Sequence, residues 1–221
     1  MTVLLMVFTL VLFLTTDYFV QKARAAAAMR LAETSPGRML LIPDGTRVAE
    51  NHSWFTKVKE GVTTIGFDEL IGRLVGAAEE ILLPEVGSRL SPAQAIATLR
   101  DGERSLEISS PVSGRVVAVN QEVMKNPALA VKDPYGSGWL VKIEPAPKSG
   151  MEKSLAGKQA MEWLLGQADL MKEFLIGCMG QRPLATLQDG GMPVDGALKR
   201  YDCSVWKKFQ ERFVSLNANR V

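Results

Sequence analysis

Ala95-Ile96-Ala97-Thr98-Leu99-Arg100-Asp101-Gly102-Glu103-Arg104-Ser105-Leu106-Glu107-Ile108-Ser109 is the stretch on which the fold turns. Ala95–Arg100 and Glu103–Ser109 read as two strands separated by Asp101-Gly102. Asp-Gly is a strong two-residue hairpin signal, because a type I′ turn needs positive φ at both central positions. From about Arg38 to Pro147 the same texture recurs, with short apolar runs broken by Gly, Pro and Asp-Gly. That is the signature of a β-rich domain. Arg38–Pro43, Trp54–Val58, Thr63–Phe67, Glu80–Leu83, Arg115–Val119 and Trp139–Glu144 are the further strand candidates, and Asp68–Gly76 reads as a short helix.

Several blocks within this region resemble the H protein of the glycine cleavage system. They are His52-Ser53-Trp54, Leu83-Pro84-Glu85-Val86-Gly87, Pro111-Val112-Ser113-Gly114, Asn126-Pro127 and Asp133-Pro134-Tyr135-Gly136-Ser137-Gly138-Trp139-Leu140-Val141-Lys142-Ile143. Five blocks in order and at matching spacing are far more specific than any one of them, and the resemblance covers roughly residues 43–147. It implies a mainly β fold, a lipoyl/biotinyl-type β-sandwich (barrel-sandwich hybrid) of two small antiparallel sheets with helical additions. It also implies a hairpin-tip lysine bearing lipoate on a swinging arm that shuttles an aminomethyl group and electrons between enzymes.

That lysine is missing. Carried without gaps between the Leu83–Gly87 and Pro111–Gly114 blocks, its position falls on Glu103, and the family's acidic position four residues on matches Glu107. No lysine occurs between Lys59 and Lys125, so a small slip of register cannot supply one. Lipoylation makes an amide on an ε-amine; Glu103 offers none, and the guanidinium groups of Arg100 and Arg104 stay protonated and are poor nucleophiles. No lipoyl cofactor is therefore expected. The hairpin residues Arg100, Asp101, Glu103 and Arg104 read as solvated charge or, alternatively, as a docking tip for a complementary protein surface. His52, Trp54 and Trp139 read as packing or hydrogen-bonding residues. Gly87, Gly114, Gly136 and Gly138 read as turn positions with unusual backbone angles.

Outside this region the chain carries two additions. Met1 to Thr16 holds no charge, and Tyr18-Phe19-Val20 extends the run past Asp17. Twenty helical residues reach about 30 Å, the thickness of a bilayer core. Residues 1–21 are expected to form a transmembrane helix, with a juxtamembrane stalk over 22–37 that stops near Ser35-Pro36-Gly37. A cleaved signal peptide fits less well, because it would open on basic residues and none precedes Lys22. Lys22, Arg24 and Arg30 follow the run, which places the remainder on the cytoplasmic side of a bacterial inner membrane.

Residues 148–221 form the second addition, expected to be helical. Ser154 to Ile176 places Leu155, Met161, Leu164, Leu165, Leu170, Met171, Phe174 and Leu175 at helical spacing. Val194–Arg200 reads as a short helix, and Ser204–Leu216 as an amphipathic one carrying Val205, Trp206, Phe209 and Phe213, capped by Asp202 or Ser204. These apolar faces either pack on the β domain or leave Trp206, Phe209 and Phe213 as anchors in a partner's groove.

Composition narrows the chemistry. The 221 residues carry 26 basic and 24 acidic side chains, one histidine and two cysteines. Residues 151–221 hold ten basic and eight acidic residues, so no nucleic-acid stripe is visible. Two cysteines cannot hold an iron–sulfur cluster, and no nucleophile–base pair, phosphate loop or metal cluster can be read. The expected function is non-enzymatic: a membrane-anchored, non-lipoylated H-protein-like subunit with a structural or docking role in a larger membrane complex, with a bacterial redox or respiratory assembly as the expected partner. The alternatives are a carrier modified on Lys57, Lys59 or Lys125, and an adaptor for glycine-cleavage or lipoate-handling enzymes.

Overall fold

The computed structural model describes residues 40–147, 149, 151, 154–178 and 195–215. The expected membrane segment, its stalk, Arg38 and the Asp189-Gly190-Gly191 loop lie outside the described residues. Among those described, no helix is long and apolar enough to cross a membrane.

Among the described residues ten strands form two antiparallel sheets. The larger holds β1 (Thr46–Val48), β2 (Ser53–Thr56), β3 (Thr63–Phe67), β5 (Arg89–Leu90), β8 (Gly114–Val119), β9 (Val141–Pro145) and β10 (Leu155–Ala156), in the order β10-β1-β2-β3-β9-β8-β5. The smaller holds β4 (Glu80–Leu82), β6 (Ala95–Asp101) and β7 (Arg104–Ser109), in the order β4-β6-β7. Phe55, Ile65 and Phe67 of the first sheet share one core with Ile81, Ile96, Leu99, Leu106 and Ile108 of the second. The two-sheet sandwich expected from the resemblance is present, with unequal sheets.

Helix α1 (Glu69–Val75) begins where the sequence predicted, because Asp68 accepts from the Ile71 N–H and caps it. Two short helices not foreseen, α2 (Gln121–Lys125) and α3 (Ala128–Lys132), bridge β8 to β9. Asn120 caps α2 and also ties it to the β9 approach through the carbonyls of Ser137 and Trp139. The C-terminal addition supplies α4 (Gly157–Cys178), a 3-10 turn (Ala197–Arg200), and α5 (Cys203–Phe209), which continues as a π-type turn through Val214.

Local details depart from the sequence reading. Among the described residues the first strand is Thr46–Val48, and residues 40–43, the described part of the Arg38–Pro43 candidate, are not strand: Asp44-Gly45 turns the chain into β1, which then pairs with Ser53–Thr56. The 101–104 turn is shifted by one residue. Asp101 pairs with Arg104, and the two-residue loop is Gly102-Glu103, with positive φ at Gly102 (60°) alone. This is the II′ pattern, in which glycine takes the first central position. The pair with positive φ at both positions is instead Glu60 (54°) and Gly61 (79°), closing the β2–β3 hairpin through the Lys59–Val62 bridge.

The glycines of the recognised blocks also need correction. Gly87 has φ +93°, as expected of a turn residue, but Gly114, Gly136 and Gly138 have no positive φ. They are small because neighbours crowd them: a Cβ on Gly114 would lie 2.4 Å from the Glu144 carbonyl oxygen and 2.5 Å from Ile143 Cγ2. Gly114→Ala is therefore expected to lower stability by about 1–3 kcal/mol, the usual cost of overpacking, as a shift of the urea midpoint without a change of slope.

Candidate functional site

The 101–104 hairpin is the place to look for function, and its surroundings are unusual for a loop tip. The outer face of the small sheet alternates with its core. Leu99, Leu106 and Ile108 point inward, while Arg100, Ser105 and Glu107 face out, and Gly102 and Glu103 project from the end. Edge strand β7, however, is not bare. The C-terminal segment lies along it.

Asp101 is the centre of this contact. It is buried, 4 % exposed, and its two carboxylate oxygens are taken by two cations. Arg104 Nη2 stands 2.7 Å from Oδ2, and Lys199 Nζ, from the 3-10 turn, 2.7 Å from Oδ1. Lys199 Nζ also donates to the Ala77 carbonyl at 2.6 Å. Each of the three Arg104 nitrogens has a partner: beside the Nη2 contact, Nε donates to the Asp101 carbonyl at 3.2 Å and Nη1 to the Lys199 carbonyl. Its guanidinium sits 5.8 Å from the centroid of the Trp206 ring. A buried carboxylate is tolerated only when paired and hydrogen-bonded, and here both conditions are met.

The backbone of the tip is held as well. The Gly102 N–H donates to Glu79 Oε2 at 2.9 Å, the Cys203 thiol faces the Glu103 carbonyl at 3.6 Å, and the Glu107 N–H donates to Gln210 Oε1 at 3.0 Å. That last bond satisfies an N–H on the open side of β7, the group by which an edge strand would recruit another chain.

Behind these polar contacts lies an apolar seat. Trp206, Phe209 and Phe213 are 1 %, 0 % and 5 % exposed. Trp206 Nε1 donates to the Leu198 carbonyl at 2.9 Å. Phe209 and Phe213 pack against each other and against Phe174 of α4, with ring centroids 5.1 to 6.0 Å apart. These three residues, read from the sequence as possible anchors in a partner's groove, are covered by their own chain. The packing alternative describes them.

The remaining docking candidates divide accordingly. Asp101 and Arg104 are spent inside the contact. Arg100, paired loosely with Glu80 at 3.4 Å, and Glu103 stay exposed. Glu103 presents a carboxylate and no amine. Among the described residues an amine is brought to the hairpin by Lys199, about a hundred residues away in sequence, and it is held between the Asp101 carboxylate and the Ala77 carbonyl. Sequence reading missed Lys199 and Gln210 altogether, since nothing local marks a polar residue as reaching a distant hairpin; Cys203, which reads from the sequence as an inert buried thiol, is exposed. Of the alternative lysines, Lys125 pairs with Glu122 at 3.1 Å, while Lys57 and Lys59 lie exposed beside the Glu60-Gly61 turn.

A second polar cluster lies in the interior. His52 Nδ1 is 2.7 Å from Asp68 Oδ2, both side chains are fully buried, and His52 stacks on Trp163 of α4 at 4.8 Å. His52 sits at φ 62°, and its Nε2, like Trp54 Nε1, is buried without a hydrogen-bond partner among the described residues. Burial pushes the neighbouring Tyr135 phenol well above its ordinary range, with the Asp68 charge adding to the effect. The pair ties the β2 loop to the start of α1 and to α4. Among the described residues no group of three His, Cys, Asp or Glu side chains could hold a metal.

Two unequal antiparallel sheets, a helix capped by Asp68 and a hairpin projecting from the smaller sheet define the H-protein-like, lipoyl-type class of fold. The sequence profile described as glycine cleavage H-protein matches residues 46–167, and the chain belongs to that family. It is 34 % identical to the glycine cleavage system H protein of Escherichia coli O139:H28 over 124 residues, covering 56 % of this chain and 95 % of that protein. Against the H protein of Carboxydothermus hydrogenoformans the identity is 30 % over 118 residues, 53 % of this chain and 90 % of the relative. A crystal structure of an H protein from Mycobacterium marinum aligns over 57 % of this chain and 98 % of its own, at 24 % identity and a TM-score of 0.47.

Two outcomes test the hairpin contact. Trp206→Ala should destabilise the chain by about 3–5 kcal/mol in a urea melt, because it removes the buried ring on which the α5 seat and Arg104 rest. The second concerns acid. The Ser204 hydroxyl and then the Val205 N–H hold the Asp202 carboxyl, the cap of α5, below its ordinary value. A depressed pKa stabilises the fold above the unfolded value and loses that contribution as pH falls through the folded one. Trp206 fluorescence should therefore report loosening of α5 on acidification, and Asp202→Asn should remove that part of the pH response.

Proposed function

We propose that this chain is a membrane-tethered member of the H-protein family that carries no lipoyl arm on its 101–104 hairpin and serves as a docking subunit of a larger membrane complex. The family is one of lipoyl carriers. The observation that carries the reading is the hairpin itself: its tip offers Glu103 in place of an amine, and its flank is occupied by the chain's own C-terminal segment. A swinging arm needs an acylated amine and open space around it, whereas this hairpin is braced on one side by Lys199, Trp206 and Gln210. A braced hairpin with an exposed charged face is suited to protein contact, since little ordering entropy remains to be lost on binding.

The surface left for a partner is the outer face of the small sheet, with Arg100 and Glu103 as its docking residues. The predominantly apolar run at residues 1–21, in which Asp17 is the one charged residue, supports a single-pass tether, and the basic residues after it support a cytoplasmic orientation at a bacterial inner membrane. A redox or respiratory assembly is the partner suggested by the carrier family to which the fold belongs, an argument by analogy.

Intact-mass measurement on chain purified from cells supplied with lipoate is expected to give the unmodified polypeptide mass. A lipoyl-sized increment mapped to Lys57, Lys59 or Lys125 would replace this reading with that of an unconventional carrier. Purification from native membranes through a tag at Val221 is expected to bring defined partner subunits with it, and Arg100→Glu/Glu103→Arg should release them while leaving the melting temperature unchanged. Recovery of the chain alone would defeat the docking role; recovery of aminomethyl-transferring or lipoate-attaching enzymes would make the chain their adaptor.

A further inference from the structure

Helix α4 buries Ala160, Leu164, Ala168, Met171 and Leu175 against the core. Away from that face runs a stripe with a composition of its own: Leu165, Asp169, Lys172 and Ile176, separated by four, three and four residues. With 3.6 residues per turn, these steps keep all four on one side of the helix, in the spacing of a helix–helix seam. Leu165 is 47 % and Ile176 39 % exposed, large values for aliphatic side chains on a helix whose other face is packed. Asp169 is exposed and Lys172 half-buried, and neither forms an ion pair with another described residue, although Lys158 and Glu162 on the same helix do.

The stripe is symmetric about the point between Leu170 and Met171. Reversing the chain direction exchanges Leu165 with Ile176 and Asp169 with Lys172. An acidic and a basic residue thus exchange places, and so do two aliphatic ones. A surface with that property is complementary to its own copy related by a twofold axis, the requirement for an isologous contact.

We propose that this face of α4 is a self-association surface whose occupant is α4 of a second copy of the chain, packed antiparallel. In that arrangement Leu165 of each copy meets Ile176 of the other, and Asp169 of each meets Lys172 of the other, so every group on the stripe has one partner and each pairing occurs twice. The seam spans about 16 Å, which makes the contact small and its association weak and reversible. The surface lies on a different element from the 101–104 hairpin, so the proposal does not depend on the docking role or on the absence of a lipoyl arm.

Sedimentation equilibrium of the full chain in detergent, at concentrations up to roughly 0.5 mM where weak contacts populate, is the test. A monomer–dimer equilibrium is expected. Asp169→Lys and Lys172→Asp should each weaken it roughly tenfold by setting like charges opposite each other at two places. Combining the two should restore it, because the reversed charges again face opposite ones. Leu165→Glu should abolish the dimer while leaving the melting temperature within a degree or two. A monomer at every concentration, or a dimer indifferent to the single reversals, overturns the proposal; so does a double reversal that fails to rescue, since a contact with any other surface would not be repaired by the swap.

Discussion

A three-stranded sheet cannot close its own accounts of surface. One of its faces must be buried, and each of its two edges leaves a row of backbone groups unpaired. In this chain the smaller sheet meets the larger one across a shared core, and β7 would still be left as an open edge. The C-terminal segment answers both needs. Trp206, Phe209 and Phe213 extend the apolar core past the sheet margin, and Gln210 takes the Glu107 N–H. Everything distinctive about the hairpin follows from that cover, including the inward Asp101 carboxylate that binds Lys199 of the segment to Arg104 of the strand.

The carboxylate is also what gives the contact its register. Apolar surfaces slide past each other at little cost, but a buried anion with two cationic partners is satisfied in one arrangement only. Arg104 suits this place because its planar fork reaches Asp101, the Lys199 carbonyl and the Trp206 face at once, which a lysine could not. The interior His52–Asp68 pair plays a similar part at the other side of the fold, where it joins the β2 loop, α1 and the Trp163 face of α4. Both are polar bonds between segments distant in sequence, set in otherwise apolar surroundings.

Much of this could be read in advance. The β-rich middle, the helix after Asp68, the two helical stretches of the C-terminal addition and the cap at Asp202 all follow from local rules of turn, cap and periodicity. The errors have identifiable causes. Asp101-Gly102 carried a type I′ signal, but burial of Asp101 against Lys199 draws that residue into the strand and moves the turn onto Gly102-Glu103. Gly114, Gly136 and Gly138 were read for backbone angle when their reason is crowding by backbone and side chains that only the folded chain brings near. Strands β5 and β10, two residues each, are too short to leave any periodic trace.

What the sequence determined alone is the chemistry the hairpin lacks: with Glu103 at its tip and no lysine from Glu60 to Met124, no conformation can place an ε-amine from that region there. What only the tertiary structure decided is what the hairpin touches. The aromatic residues at the far end of the chain had two possible partners, another protein or their own β domain, and spacing along a helix is identical in either case. The choice lies in the contact between Trp206 and Arg104 and the ammonium of Lys199 on Asp101, and such contacts between distant segments exist only once the chain has folded.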